Sequence, residues 1–81
     1  MRGGKSEPPV SAIETLSDRE LEVFRMLGQG KATRQVAEEL NLTIATINSF
    51  RNRIKEKLNL KNSSELILHA VQWVREGISE N

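Results

Sequence analysis

Between Ala45 and Lys55 the chain carries amides, hydroxyls and cations at helical spacing: Ala45, Thr46, Asn48, Ser49, Arg51, Asn52, Arg53 and Lys55. Asn48 and Asn52 stand at i and i+4, so a helix projects both carboxamides from one face. A carboxamide offers one acceptor and two donors, which matches the N7 and N6 edge of adenine. Ser and Thr hydroxyls serve base or phosphate, and Arg and Lys neutralise phosphate. With Ile47 facing inward, a step of about 100° per residue puts Ala45, Asn48, Ser49, Asn52 and Arg53 on the opposite side. A solvated face more often carries Glu–Lys pairs, yet Glu56 is the only acid from Ile44 to Leu58. The chemistry on offer is non-covalent reading of a major groove.

Other chemistries find little material. The chain has 81 residues, no cysteine and one histidine, His69. Disulfides, thiolate metal sites and cysteine nucleophiles are excluded, and one histidine cannot build a zinc site. His69 follows Glu65 by one turn and reads as its i,i+4 partner or as a core-edge residue. Ser17-Asp18 has no nearby base and reads as a helix cap. Asn41-Leu42-Thr43 and Asn62-Ser63-Ser64 match a glycosylation sequon, but turn and capping roles account for both. No cofactor, metal or enzymatic activity is expected. No apolar run approaches the ~18 residues of a membrane span, and Met1–Val10 lacks a signal-peptide apolar stretch. A cytoplasmic protein without membrane contact is expected.

The net charge of +1 conceals a strong bias. Residues 31–61 carry seven basic and three acidic groups, whereas residues 1–30 and 62–81 are each net negative. A basic middle in a near-neutral chain suits an anionic partner.

Helices must position that middle. Residues 1–12, with Gly3-Gly4 and Pro8-Pro9, read as a tail or linker, and residues 13–78 read as one all-α, four-helix, bundle-like domain. A first helix is expected from the capping box Ser17-Asp18-Arg19-Glu20, with Leu21, Phe24 and Leu27 inward and Gly28 or Gly30 as its stop. The second is expected over Thr33–Leu40, with Val36, Ala37 and Leu40 inward. The third runs over Ile44–Leu58 behind Thr43, with an apolar stripe of Ile44, Ile47, Phe50, Ile54 and Leu58. The fourth starts at a second capping box, Asn62-Ser63-Ser64-Glu65, and packs Leu66, Ala70, Trp73 and Val74. Trp73 is expected to be largely buried near Leu21 and Phe24.

Only Asn41-Leu42-Thr43 separates the second helix from the third. So short a link forces a steep crossing. Ala37 lets the helices approach, Asn41 tolerates a left-handed backbone, Leu42 plugs the corner and Thr43 caps the next helix. This is a helix-turn-helix pattern.

The motifs Leu16-Ser17-Asp18-Arg19-Glu20, Gly30, Val36-Ala37-Glu38-Glu39-Leu40, Thr43-x-x-Thr46-Ile47 and Ile54-x-x-Lys57-Leu58 occur in order. With them the chain resembles, over about Leu16–Trp73, the LuxR-type DNA-binding domain, the output module of many bacterial response regulators and quorum-sensing regulators. The resemblance implies a third helix that reads double-stranded DNA, with Thr46 on phosphate and Asn48, Ser49 and Asn52 on bases. The whole expected DNA-facing set is Lys31, Thr33, Thr43, Ala45, Thr46, Asn48, Ser49, Arg51, Asn52, Arg53 and Lys55. A weak homodimer contact through the fourth helix, at Leu68, Val71 and Gln72, is also implied, as is RNA polymerase as a partner. The chain departs from the family at Asn48 (usually Lys), Phe50 (often His), Arg53 (usually Asn) and Asn41 (commonly Gly). Ala32 replaces a commoner capping Ser, so Thr33 is expected to cap the second helix. Two alternatives share the scaffold: a sigma-factor-like promoter-reading domain, and a helix-turn-helix module that docks protein. The fourth helix with Trp73 and the Ile54-x-x-Lys57-Leu58 motif argue against the sigma-factor reading.

Overall fold

The computed structural model describes residues 10–77. Its elements are a one-turn α1 (Val10–Ile13), then α2 (Asp18–Gly28), α3 (Thr33–Leu40), α4 (Ile44–Lys57) and α5 (Ser63–Gly77). The four longer helices form the expected all-α domain, and no strand occurs among the described residues. None of these helices is long and apolar enough to cross a membrane. Residues 1–9 of the expected tail lie outside the described residues, and Val10 to Ala12 belong to α1.

Helix starts follow local side chains. Ser17 Oγ accepts from Glu20 N–H at 3.2 Å while Glu20 Oε1 accepts from Ser17 N–H at 2.9 Å, a complete capping box. Thr43 Oγ1 accepts from Thr46 N–H at 3.1 Å. At α5 the reciprocity is displaced: Asn62 Oδ1 accepts from Glu65 N–H at 2.9 Å, but the Glu65 carboxylate takes the Lys61 N–H at 2.8 Å. With its carboxylate engaged there, Glu65 does not hold His69, which is a buried core-edge residue. Thr33 does not cap α3. Ala32 is the N-cap, without a side-chain acceptor, and Gln35 Oε1 accepts its N–H at 3.3 Å.

Three helix stops share one device. Gly30, Asn41 and Asn59 have φ of 93°, 61° and 59°. Behind each, the next residue's N–H bonds back five residues along the chain: Lys31 to Met26 O, Leu42 to Ala37 O and Leu60 to Lys55 O. Glycine has no Cβ to clash in this region, and Asn tolerates it best among other residues. Leu42 and Leu60 then fold back onto the core. Gly28 serves a different purpose: a Cβ there would collide with the Ala70 carbonyl, so its bareness lets α5 cross α2 closely.

The core joins Val23, Phe24 and Leu27 of α2 to Val36 and Ala37 of α3, Ile47 and Ile54 of α4, and Leu66 and Ala70 of α5. Because α2 lies against both α4 and α5, its buried arc is wider than one stripe. Val23 and Met26 are therefore buried, and Leu21 only partly so. The expected stripe of α4 fails at its first member: Ile44 is 45% exposed, because cover begins at Ile47. Trp73 is mostly buried and packs against the core, as expected. Its ring meets Phe24 at a centroid distance of 5.5 Å and a 47° tilt, and so large a ring leaves its far side at the rim.

Candidate nucleic-acid interface

The crossing of α3 and α4 is fixed by Val36 and Ile47, both fully buried, with Leu40, Leu42 and Phe50 packed around them. Asn41 reverses the chain within one residue, and Thr43 starts α4 immediately afterwards. This corner turns one long face of α4 outward. Ala45, Asn48, Ser49, Asn52 and Arg53 are all exposed on it. The carboxamides of Asn48 and Asn52 and the hydroxyl of Ser49 form no hydrogen bond among the described residues. Their donors and acceptors are free for an incoming base edge.

Around this face the polar groups divide by engagement. Thr43 and Thr46 are linked, with the Thr43 hydroxyl donating to Thr46 Oγ1 at 2.9 Å, which leaves the Thr46 hydroxyl hydrogen free to donate outward. Arg53 and Lys55 form no ion pair among the described residues. Lys31 is paired with Glu39 at 2.8 Å, so part of its charge is neutralised. Arg51 donates to Thr33 Oγ1 and ties α4 to the first turn of α3. Of the expected DNA-facing set, the structure thus brings Thr43, Ala45, Thr46, Asn48, Ser49, Asn52, Arg53 and Lys55 together on the open surface of α4. Within that group Thr46 and Lys55 are partly buried; Lys31, Thr33 and Arg51 are partly buried too and hold partners on other elements.

Two fastenings of α4 escape sequence reasoning because they span 37 and 42 residues. The Lys57 ammonium donates to Glu20 Oε1 at 2.8 Å and to the Thr15 carbonyl at 3.2 Å. The Glu20 side chain is 4% exposed. Burial alone would raise its carboxyl, but the Lys57 hydrogen bond and charge, with the Ser17 N–H, hold it below the ordinary value. The same carboxylate therefore caps α2 and anchors the C-terminal end of α4. On α5, Leu68 is 54% exposed while Val71 and Gln72 are only partly so; Leu68 and Val71 line an open apolar groove with Ile67, Ser63 and Ser64.

Residues 14–70 match the family described as bacterial regulatory proteins, luxR family. The chain is 37% identical over 66 residues to the response regulator UvrY of Escherichia coli K12, covering 82% of this chain and 30% of that protein. It is 39% identical over 57 residues to the transcriptional regulatory protein DesR of Bacillus subtilis, covering 70% and 29%. It is 35% identical over 57 residues to the oxygen regulatory protein NreC of Staphylococcus carnosus, covering 70% and 26%. The chain thus spans under a third of the length of these curated relatives. No solved structure matches it significantly. An all-α fold, a helix-turn-helix corner with an open amide-rich face, and a match over most of the chain agree: the chain belongs to the luxR family of bacterial regulatory proteins and carries that family's DNA-binding domain.

Proposed function

We propose that this domain regulates transcription in the cytoplasm of a bacterium by binding double-stranded DNA with α4 in the major groove. The observation that carries the reading is the exposed, internally unbonded row of Asn48, Ser49 and Asn52 on α4. Asn48 and Asn52 read base edges, at least one of them an adenine. Thr46, Arg53 and Lys55 hold phosphate, with Thr43 and Lys31 at the margin. Arg51 and Thr33 act mainly by fixing the angle between α3 and α4. The domain performs no catalysis. RNA polymerase is the protein partner this role implies.

A second copy pairs weakly through α5, at Leu68, Val71 and Gln72. So small a patch falls short of a standard interface, so the free domain is monomeric at micromolar concentration and pairs on DNA. Sedimentation of Val71→Glu, alone and on a two-site DNA, should show lost cooperativity only on DNA; unchanged cooperativity moves the contact elsewhere.

Selection of bound sequences from a random duplex pool tests the main reading. A recurring half-site containing adenine is expected, and its affinity should fall steeply with added salt. A pool that emerges without sequence preference would return the corner to a protein-docking role.

A further inference from the structure

Ile44 is one of only two large apolar side chains exposed among the described residues, and it stands at the first position of α4. A lone exposed isoleucine is ordinary on a protein surface. Its neighbours make this one informative. Ile44, Asn48 and Asn52 are spaced i, i+4 and i+8, so they form one ridge along α4. The first turns of α3 and α4, the two helices of the helix-turn-helix, contain no acidic residue, whereas that of α2 holds Asp18 and Glu20 and that of α5 holds Glu65. Carboxylates normally favour this end of a helix, and beside DNA phosphates they would be repelled. The N-terminal end of α4 therefore presents an uncovered apolar group and no negative charge, in line with two amides able to read bases.

We propose that Ile44 is a specificity-determining residue that packs against the 5-methyl group of a thymine. The assignment rests on the DNA-reading function of α4 and deepens it. The N-terminal residues of a recognition helix are those that reach base edges, and the thymine methyl is the one apolar group the major groove displays. Four residues of helix rise about 6 Å, and bases stack at about 3.4 Å. The thymine therefore lies one or two base pairs from the base taken by Asn48. A contact of this kind distinguishes thymine from cytosine without a hydrogen bond, and it buries an isoleucine that the free domain leaves in water.

Deoxyuridine supplies the test, since it keeps every hydrogen-bonding atom of thymine and lacks only the methyl. Each thymine of a selected site is replaced in turn, and affinities of the parent and Ile44→Ala are measured. In the parent, one replacement should weaken binding about fourfold, the equivalent of roughly 0.8 kcal/mol for a buried methyl at about 1.4 kcal/mol per decade. Ile44→Ala should bind the thymine and deoxyuridine forms of that position equally and respond to the other replacements as the parent does. Its melting temperature should be no lower, because the side chain is already exposed. A penalty that survives Ile44→Ala belongs to another side chain, Ala45 being the nearest methyl, and overturns the assignment. So does a parent that reads a defined site yet is indifferent to every replacement. A parent with no sequence preference would instead remove the DNA-reading function on which the assignment stands.

Discussion

From Phe50 to Leu58, α4 is fastened on several sides: Ile54 and Leu58 lie in the core, Arg51 reaches Thr33, and Lys57 reaches Glu20 and Thr15. From Thr43 to Ser49 only Ile47 is sealed, and the side-chain bonds stay within the pair Thr43–Thr46. One helix thus has a base that the rest of the domain holds and a tip with its polar groups unspent. The contrast teaches that the two kinds of residue should separate in experiment. Groups that fasten the base set the helix in place and affect every measurement, whereas groups at the tip and on the exposed side of the helix affect only what the helix meets. Holding the base rigidly also lowers the ordering cost of binding at the tip.

The largest effect should come from the base. Ile54 is fully buried, so Ile54→Ala should cost about 2–5 kcal/mol of stability out of roughly 4–12 kcal/mol for a chain of this size. Chemical denaturation would show it, and a near-neutral result would mean that α4 is not anchored there. Asn48→Ala at the tip and Asn52→Ala on the exposed side of the base should leave that stability unchanged. Each should cost about 1–3 kcal/mol of binding at one preferred base pair and flatten discrimination there. If both variants rank operator variants as the parent does, this face reads no bases. Arg53→Ala should be milder and uniform, weakening all sequences alike and reducing the salt slope by about one unit.

The smallest effect appears only in acid. The folded Glu20 carboxyl lies below its ordinary value of 4.5, so its paired, ionised form stabilises the domain above that pH. That contribution fades as pH falls below 4.5 through the folded value. Glu20→Gln should therefore show a shallower acid loss in melting temperature than the parent, and an identical acid profile would leave the Lys57 pair without energetic weight.

What sequence reasoning reaches here is what is written within a few residues. Ser17–Glu20, Thr43 and the left-handed Asn41 are local hydrogen-bond patterns, and α3 begins and ends where its caps and turn residues place it. Ile44 is misread because apolar periodicity says which residues share a face, not where the neighbouring helix stops covering it. The Lys57–Glu20 and Arg51–Thr33 contacts depend on how helices cross, for which neither sequence position carries a signal. Thr33 is misassigned because Ala32 holds the extended N-cap backbone and Thr33 is already the first residue of the helix, where its hydroxyl accepts from Arg51. The open row on α4 is legible in advance, since burying Ile47 and Ile54 leaves few other directions for Asn48, Ser49 and Asn52.

The turns at Gly30, Asn41 and Asn59 bear on how fast the domain forms. Each ends a helix through bonds closed within six residues, so helix lengths are decided by nearby chain and need no distant partner. Nascent segments can then acquire their final boundaries on the sub-microsecond to microsecond scale of helix–coil relaxation. The remaining step is the docking of rods whose ends are already defined, and little register searching is left. Such local encoding favours the microsecond-to-millisecond folding typical of helical domains with low contact order.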